Sequence, residues 1–161
     1  MGKGFEEYSA TVGKILANLQ ALELLLRRFL YEKQDAPHAP LQTPLNVVKV
    51  GDYVPENAAT DWSRLGDLIK RYNKRVAGTR KDLVVDPGIV AVRDALAHGR
   101  VWLPNWDVDA DAPPILLRFR KPKDGKVAVE SLEVMSGAWL EATIASTSAQ
   151  TEKVAVACAE L

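Results

Sequence analysis

Cysteine and histidine are both scarce in this chain. Its 161 residues include one cysteine, Cys158, and two histidines, His38 and His98. A single cysteine excludes an intrachain disulfide framework and indicates a reducing compartment. Two distant histidines and one cysteine cannot supply the ligands of a protein zinc site, and no glycine-rich phosphate-binding loop is present. The sequence therefore predicts neither a metal nor a cofactor.

Net charge is also lacking, because 21 basic residues balance 21 acidic ones. This balance excludes a protein that coats nucleic acid generally, since phosphate contacts need a basic surplus, but it leaves room for a local basic patch. Every apolar run falls short of the roughly 20 residues of a membrane span. Glu6 and Glu7 lie where a secretory signal would have its apolar segment. We expect a cytoplasmic protein that does not contact membranes.

Apolar residues make up 47% of the chain, which predicts one domain over residues 1–161 with its own core. A first helix is expected from about Tyr8 to Glu32, because apolar residues recur there at spacings of three and four. These residues are Val12, Ile15, Leu16, Leu19, Leu22, Leu26, Phe29 and Leu30. So wide an apolar face indicates either a central core helix or a helix that buries part of itself against a second copy.

Four prolines make residues 34–60 mainly loop, with a short strand expected at Asn46–Val50. Thr60 or Asp61 then caps a second helix. Its apolar stripe consists of Trp62, Leu65, Leu68, Ile69, Tyr72 and Val76, and its opposite face of Arg64, Lys70, Arg71, Lys74 and Arg75. A third helix is expected over Pro87–His98, with Asp86 as N-cap and Gly99 ending it in the left-handed conformation.

The periodicity changes after Gly99. Residues Ile115–Arg120 and Lys126–Glu130 are typical of two strands joined by a Lys-Asp-Gly turn. A fourth helix follows from about Ser136 to Glu160. The predicted architecture is mainly α, with four main helices and a small β-hairpin between the third and the fourth.

The segment from Arg93 to His98 reads Arg-Asp-Ala-Leu-Ala-His and ends the third helix. It resembles the motif of the HEPN family, which is an arginine, then Asn, Asp or His, three variable residues and a histidine. The resemblance implies a bundle of four main helices that forms a homodimer. Many HEPN domains are metal-independent ribonucleases whose site lies at a symmetric dimer interface, and others only bind a partner or dimerise.

The resemblance implies catalytic roles for Arg93 and His98. A histidine can act as acid or base near neutral pH, and an arginine can stabilise phosphate oxygens. Asp94 precedes His98 by four residues and could orient its ring, while Arg100 is a candidate for substrate contact. Alternatively, Asp94 and His98 form an ordinary helix-end pair and Arg93 is a solvated side chain.

Arg93 and His98 do not share a helix face, because five residues turn a helix by about 140°. A site assembled across two copies suits them better. Ala91 and Ala95 offer a narrow face on which another helix could approach. Two basic stretches, from Arg64 to Lys81 and from Arg118 to Lys126, could guide RNA, although solvated surfaces explain both as well.

The leading hypothesis is a HEPN-like endoribonuclease of a toxin–antitoxin or defence system, which would leave 2′,3′-cyclic phosphate ends. An antitoxin or another protein is then an expected partner. The alternative is a non-catalytic HEPN-like dimer that binds a partner protein or a nucleotide. A helical scaffold in which the motif is a coincidence is a third interpretation.

Overall fold

The computed structural model describes residues 3–33, 48–54, 56–103 and 112–160. In chain order its elements are α1 (Lys3–Glu32), α2 (Leu65–Val76), a 3₁₀ turn (Lys81–Leu83), α3 (Ile89–His98), β1 (Arg100–Trp102), β2 (Ile115–Phe119), β3 (Val129–Val134) and α4 (Gly137–Ala159). The fold is mainly α, as predicted, with a small antiparallel sheet between α3 and α4. His38 and most of the predicted loop over residues 34–60 lie outside the described ranges.

The chain forms two compact units. The first consists of Met1–Gln20 and Gly88–Gln150, and the second of Ala21–Pro87 and Thr151–Leu161. Helices α1 and α4 each contribute residues to both. The single domain expected over residues 1–161 stays a prediction.

The core of the second unit is made by the apolar stripes that the sequence predicted. Its fully buried members include Leu22, Leu26, Leu30, Leu65, Leu68, Ile69, Tyr72 and Val154. The rings of Phe29 and Tyr72 meet edge to face with centroids 4.9 Å apart, a favourable geometry for aromatic pairs. Tyr72 donates its hydroxyl to the Leu83 carbonyl at 3.1 Å, and burial raises the pKa of Tyr72 to about 12.

In the first unit, a three-stranded sheet in the order β1-β2-β3 packs its Leu116 side against α3. Both strand pairs are antiparallel, with Arg100 opposite Leu117 and Ile115 opposite Val134. Lys123 and Lys126 bridge across a turn in which Asp124 and Gly125 both have positive φ. That conformation defines a type I′ hairpin turn, so the predicted turn lies at the expected residues.

The first residues of α1 and α2 differ from the predictions. Helix α1 already begins at Lys3, and α2 begins only at Leu65. The apolar stripe of α2 is buried as predicted except for Trp62, which is 97% exposed. Before this late start, the side chains of Asn57, Thr60 and Asp61 accept hydrogen bonds from backbone N–H groups of the loop between residues 57 and 63.

Helix α3 begins at Ile89 with Gly88 as its N-cap, so Asp86 does not cap it. Upstream, Val85 is held by two hydrogen bonds to the Asn73 side chain, at 2.8 and 2.9 Å. These bonds hold the backbone of Val85, the residue before Asp86, against the side chain of Asn73.

The strand predictions are also corrected. Residues 48–50 form no strand, and 46–47 lie outside the described part of the chain. Strand β3 starts at Val129 instead of Lys126, and β1 was not predicted. All three residues of β1 are exposed, so this strand lacks the apolar pattern by which a buried strand is predicted.

Candidate functional site

The end of α3 is fixed by a close approach at Gly99. Its N–H donates to the Ala95 carbonyl at 2.7 Å, and its backbone is extended, with φ −74° and ψ 167°. A Cβ atom at this position would lie 2.2 Å from the Ala95 oxygen and 2.7 Å from Leu116 Cδ1. The predicted left-handed conformation is therefore wrong, and glycine is required because no other side chain fits between the helix and β2.

His98 is the last residue of α3, and its side chain is exposed. The ring makes no hydrogen bond or ion pair with any described residue. Because Gly99 leads directly into β1, the histidine stands at a rigid junction of helix and strand. An exposed ring at this position can contact a bound molecule.

Arg93 lies five residues earlier on α3 and is half-buried, with 28% of its side chain exposed. Its Nη1 lies 3.0 Å from Oδ1 of Asp94. Its Nε is buried and has no acceptor among the described residues. Buried donors are nearly always paired, so an unpaired one calls for an explanation.

Asp94 takes part in a row of alternating charges. Its Oδ2 lies 3.9 Å from Arg118 Nη1, and Arg118 Nε lies 3.0 Å from Glu130 Oε2. The row Arg93–Asp94–Arg118–Glu130 thus links α3 to β2 and β3. The structure brings Asp94 together with the two arginines, and within the described ranges it shows no hydrogen bond or ion pair between Asp94 and His98.

Arg100 follows two residues after His98, in β1. Its guanidinium carbon lies 5.5 Å from the centroid of the Phe119 ring. This is within the range of a cation–π interaction, which holds the arginine against β2 while its side chain stays exposed. The exposed ring of His98 and the exposed guanidinium of Arg100 are therefore presented by consecutive elements of the same unit.

The arrangement provides a proton carrier and two cations, which is suited to reactions of a phosphate ester. Among the described residues, no group of three or more His, Cys, Asp or Glu side chains could hold a metal ion. Within the same ranges, no helix combines the length and apolar character needed to cross a membrane.

Sequence reasoning missed the parts of this site that depend on β2. The sequence places Arg118 in a basic stretch, but only the structure shows that it lies on the same side of β2 as Leu116, the side that faces α3. Phe119 was not singled out at all. An alternating pattern in β2 indicated which residues share a face, but not which helix that face would meet. In comparisons with family models, curated proteins and solved structures, nothing matches this chain.

Proposed function

We propose that this protein is a HEPN-like, metal-independent endoribonuclease that acts as a homodimer. His98 and Arg93 are its catalytic residues, Arg100 binds substrate, and Asp94 is a positioning residue that acts through Arg93. One observation carries the proposal: an exposed, unpaired histidine ends the helix on which an incompletely paired arginine lies. Four main helices with strands between the third and fourth also suit a HEPN-like bundle.

Helix geometry supports the proposal of a homodimer. Five residues separate Arg93 and His98 by about 140° and about 7.5 Å along the axis, so one copy does not aim both side chains at one phosphate. A twofold axis through paired α3 helices would bring each Arg93 towards the partner's histidine, and twofold contacts are the commonest in small assemblies.

The surface available for this contact differs from the alanine face expected from the sequence. Ala91 is exposed, but Ala95 is only 7% exposed within its own unit. Leu16 of α1 is 40% exposed on the same unit. We therefore expect Ala91 and Leu16, and not Ala95, to contact the second copy.

Cleavage then needs no metal. One His98 takes the proton from the 2′-hydroxyl, whose oxygen attacks the adjacent phosphorus. The bond from phosphorus to the 5′-oxygen breaks, a water molecule gives that oxygen a proton, and the protonated His98 returns a proton to the hydroxide that is left. Arg93 and Arg100 stabilise the negative charge of the phosphorane. The products are a 2′,3′-cyclic phosphate and a 5′-hydroxyl, and DNA is not cleaved because it lacks the attacking group.

The test is cleavage of a labelled RNA pool in excess EDTA, with the ends identified chemically. His98→Ala should lower the rate by about 10²–10⁴-fold, the usual contribution of one proton-transfer group. Arg93→Lys should also be severe, because a point charge cannot replace the planar guanidinium. Arg120→Ala is the matched control, since this exposed arginine lies outside the charge row. Cleavage that persists in both site variants would refute the assignment.

A second candidate function is a non-catalytic HEPN-like dimer that binds a partner protein or a nucleotide. The charge row favours it, because Asp94 already engages Arg93 within the unit. Wild-type protein that stays dimeric but cleaves no RNA would support this candidate. Growth arrest on expression, relieved by either site variant, would instead support a toxin or defence nuclease with an inhibiting partner.

A further inference from the structure

Trp62 is the most exposed tryptophan among the described residues, at 97%. The sequence predicted it to be buried in the stripe of α2, yet the helix begins only at Leu65. Its two neighbours in the chain, Asp61 and Ser63, are half-buried. Asp61 accepts hydrogen bonds from the backbone N–H and the hydroxyl of Ser63. Tryptophan side chains are seldom this exposed, and an exposed aromatic ring on a hydrogen-bonded loop suggests a binding role.

Arg27 of α1 holds the backbone on both sides of Trp62. Its Nη1 donates to Asp61 Oδ1 at 2.9 Å and to the Asp61 carbonyl at 3.0 Å. Its Nη2 donates to the Ser63 carbonyl at 3.0 Å and to Glu23 Oε1 at 2.8 Å. Only 15% of the Arg27 side chain is exposed, so these charge-assisted bonds are largely shielded from water and strong.

Asp61 also joins this loop to α2. Arg71 donates to Asp61 Oδ2 at 3.1 Å and to Ser63 Oγ at 3.2 Å. Burial opposes ionisation of Asp61, but the hydrogen bonds from Ser63, Arg71 and Arg27 outweigh it and hold the pKa of Asp61 below its ordinary value. The loop is therefore fixed at neutral pH next to the outer face of α2.

That outer face is strongly basic. We call this surface, including the indole, the Trp62 face. It consists of six exposed residues: Trp62, Arg64, Lys70, Arg71, Lys74 and Arg75. From Arg64 to Arg75 five cations meet one acid, Asp67, a local charge of +4 in a chain of net charge zero. Arg64, Lys70 and Lys74 make no ion pair with a described residue, which leaves them available to a ligand.

We propose that the Trp62 face binds single-stranded RNA. An unpaired base stacks on the Trp62 indole, and the phosphates that follow lie along Arg64, Lys70 and Lys74, which span about 15 Å of helix. Cationic grooves combined with an exposed aromatic ring are the usual means of holding single strands. A base inside a duplex cannot stack on such a ring, so double-stranded RNA binds more weakly. The site needs neither His98 nor Arg93 and goes beyond the proposed nuclease.

The experiment measures the fluorescence anisotropy of a labelled oligouridine titrated with full-length protein. It uses the His98→Ala background so that cleavage cannot consume the probe. Trp62→Ala should weaken binding by about 5- to 150-fold, the contribution of one stacked base. The salt dependence should stay the same, because no phosphate contact is lost. Leu24→Ala is the matched control, since Leu24 is a 68% exposed apolar residue of the same unit.

Lys70→Gln with Lys74→Gln should also weaken binding and, unlike Trp62→Ala, flatten the salt dependence. The slope of log K against log salt should become shallower by about 1.4, or 0.7 for each phosphate contact of a single strand. Lys121→Gln with Lys126→Gln removes the same charge from the other basic stretch and should change little. The proposal is overturned if the two double variants weaken binding equally, or if Trp62→Ala binds oligouridine as tightly as its parent. It is also overturned if polyglutamate competes as well as unlabelled oligouridine, because that result would indicate an acidic protein partner. Because the readout is binding, these outcomes are independent of whether His98 catalyses cleavage.

Discussion

Two arginines of this protein lie in ion-pair networks that differ in how completely they are satisfied. In the second unit, Arg27 bonds to Glu23, Asp61 and Ser63 through both terminal nitrogens. In the first unit, Arg93 has one carboxylate oxygen at 3.0 Å and a buried Nε without an acceptor among the described residues. Arg27 therefore has a structural role, whereas Arg93 keeps one buried donor that no described residue uses.

The largest expected effect is the difference in stability between two variants, Arg27→Met and Arg93→Met. Arg27→Met should lower the free energy of unfolding by about 3 kcal/mol, because it removes shielded hydrogen bonds to Asp61 and to the Ser63 carbonyl, although Arg71 still pairs with Asp61. Arg93→Met should cost less than about 1 kcal/mol, since it removes an unpaired donor and Asp94 keeps Arg118. Chemical denaturation of both variants measures the difference. Equal losses would show that Arg93 is as structural as Arg27.

The junction of α3 and β1 should be nearly as sensitive as Arg27. Gly99→Ala places a methyl group against the Ala95 carbonyl and the Leu116 side chain. We expect a loss of about 3 kcal/mol, the upper end of ordinary overpacking, measured by thermal or chemical unfolding. Gly137→Ala is the control, because a Cβ there meets nothing within 4 Å. A Gly99→Ala protein as stable as wild type would mean that the helix and β2 are less closely packed than described.

Acid should weaken the second unit through Asp61. The pKa of Asp61 in the folded protein is held below the ordinary value of an aspartate. The ionised carboxylate therefore stabilises the fold fully when the pH is above the ordinary pKa, and this stabilisation is lost as the pH falls through the lower pKa of the folded protein. At neutral pH, Asp61→Asn should be less stable than wild type by about 1–2 kcal/mol. The gap should close in acid. A gap that stays constant even when the pH falls well below the ordinary pKa of an aspartate would show that the ionised carboxylate is not what matters.

The sequence predicted those features that depend on local spacing. The spacing of apolar residues at three and four positions predicted helices α1, α2 and α4. The Lys-Asp-Gly sequence predicted the turn at Asp124 and Gly125. Features set by distant partners were missed. Asp61 has the side chain of an N-cap, but Arg27, 34 residues away, binds it, so α2 starts later and Trp62 is exposed. In the same way, the helix positions of Arg93 and His98 were predictable, but the pairing of Asp94 with Arg118 depends on where β2 packs.

The most direct test of the nuclease assignment is to mix two inactive variants. If each site combines Arg93 of one copy with His98 of the other, a dimer of Arg93→Ala with His98→Ala contains one intact site. Random exchange of subunits should then restore about a quarter of the wild-type rate of RNA cleavage, because half of the dimers are mixed and each has one of two sites. Fluorescence energy transfer between labelled variants confirms that exchange has occurred. A fully exchanged mixture that stays as inactive as its separate components would contradict a site shared between two copies.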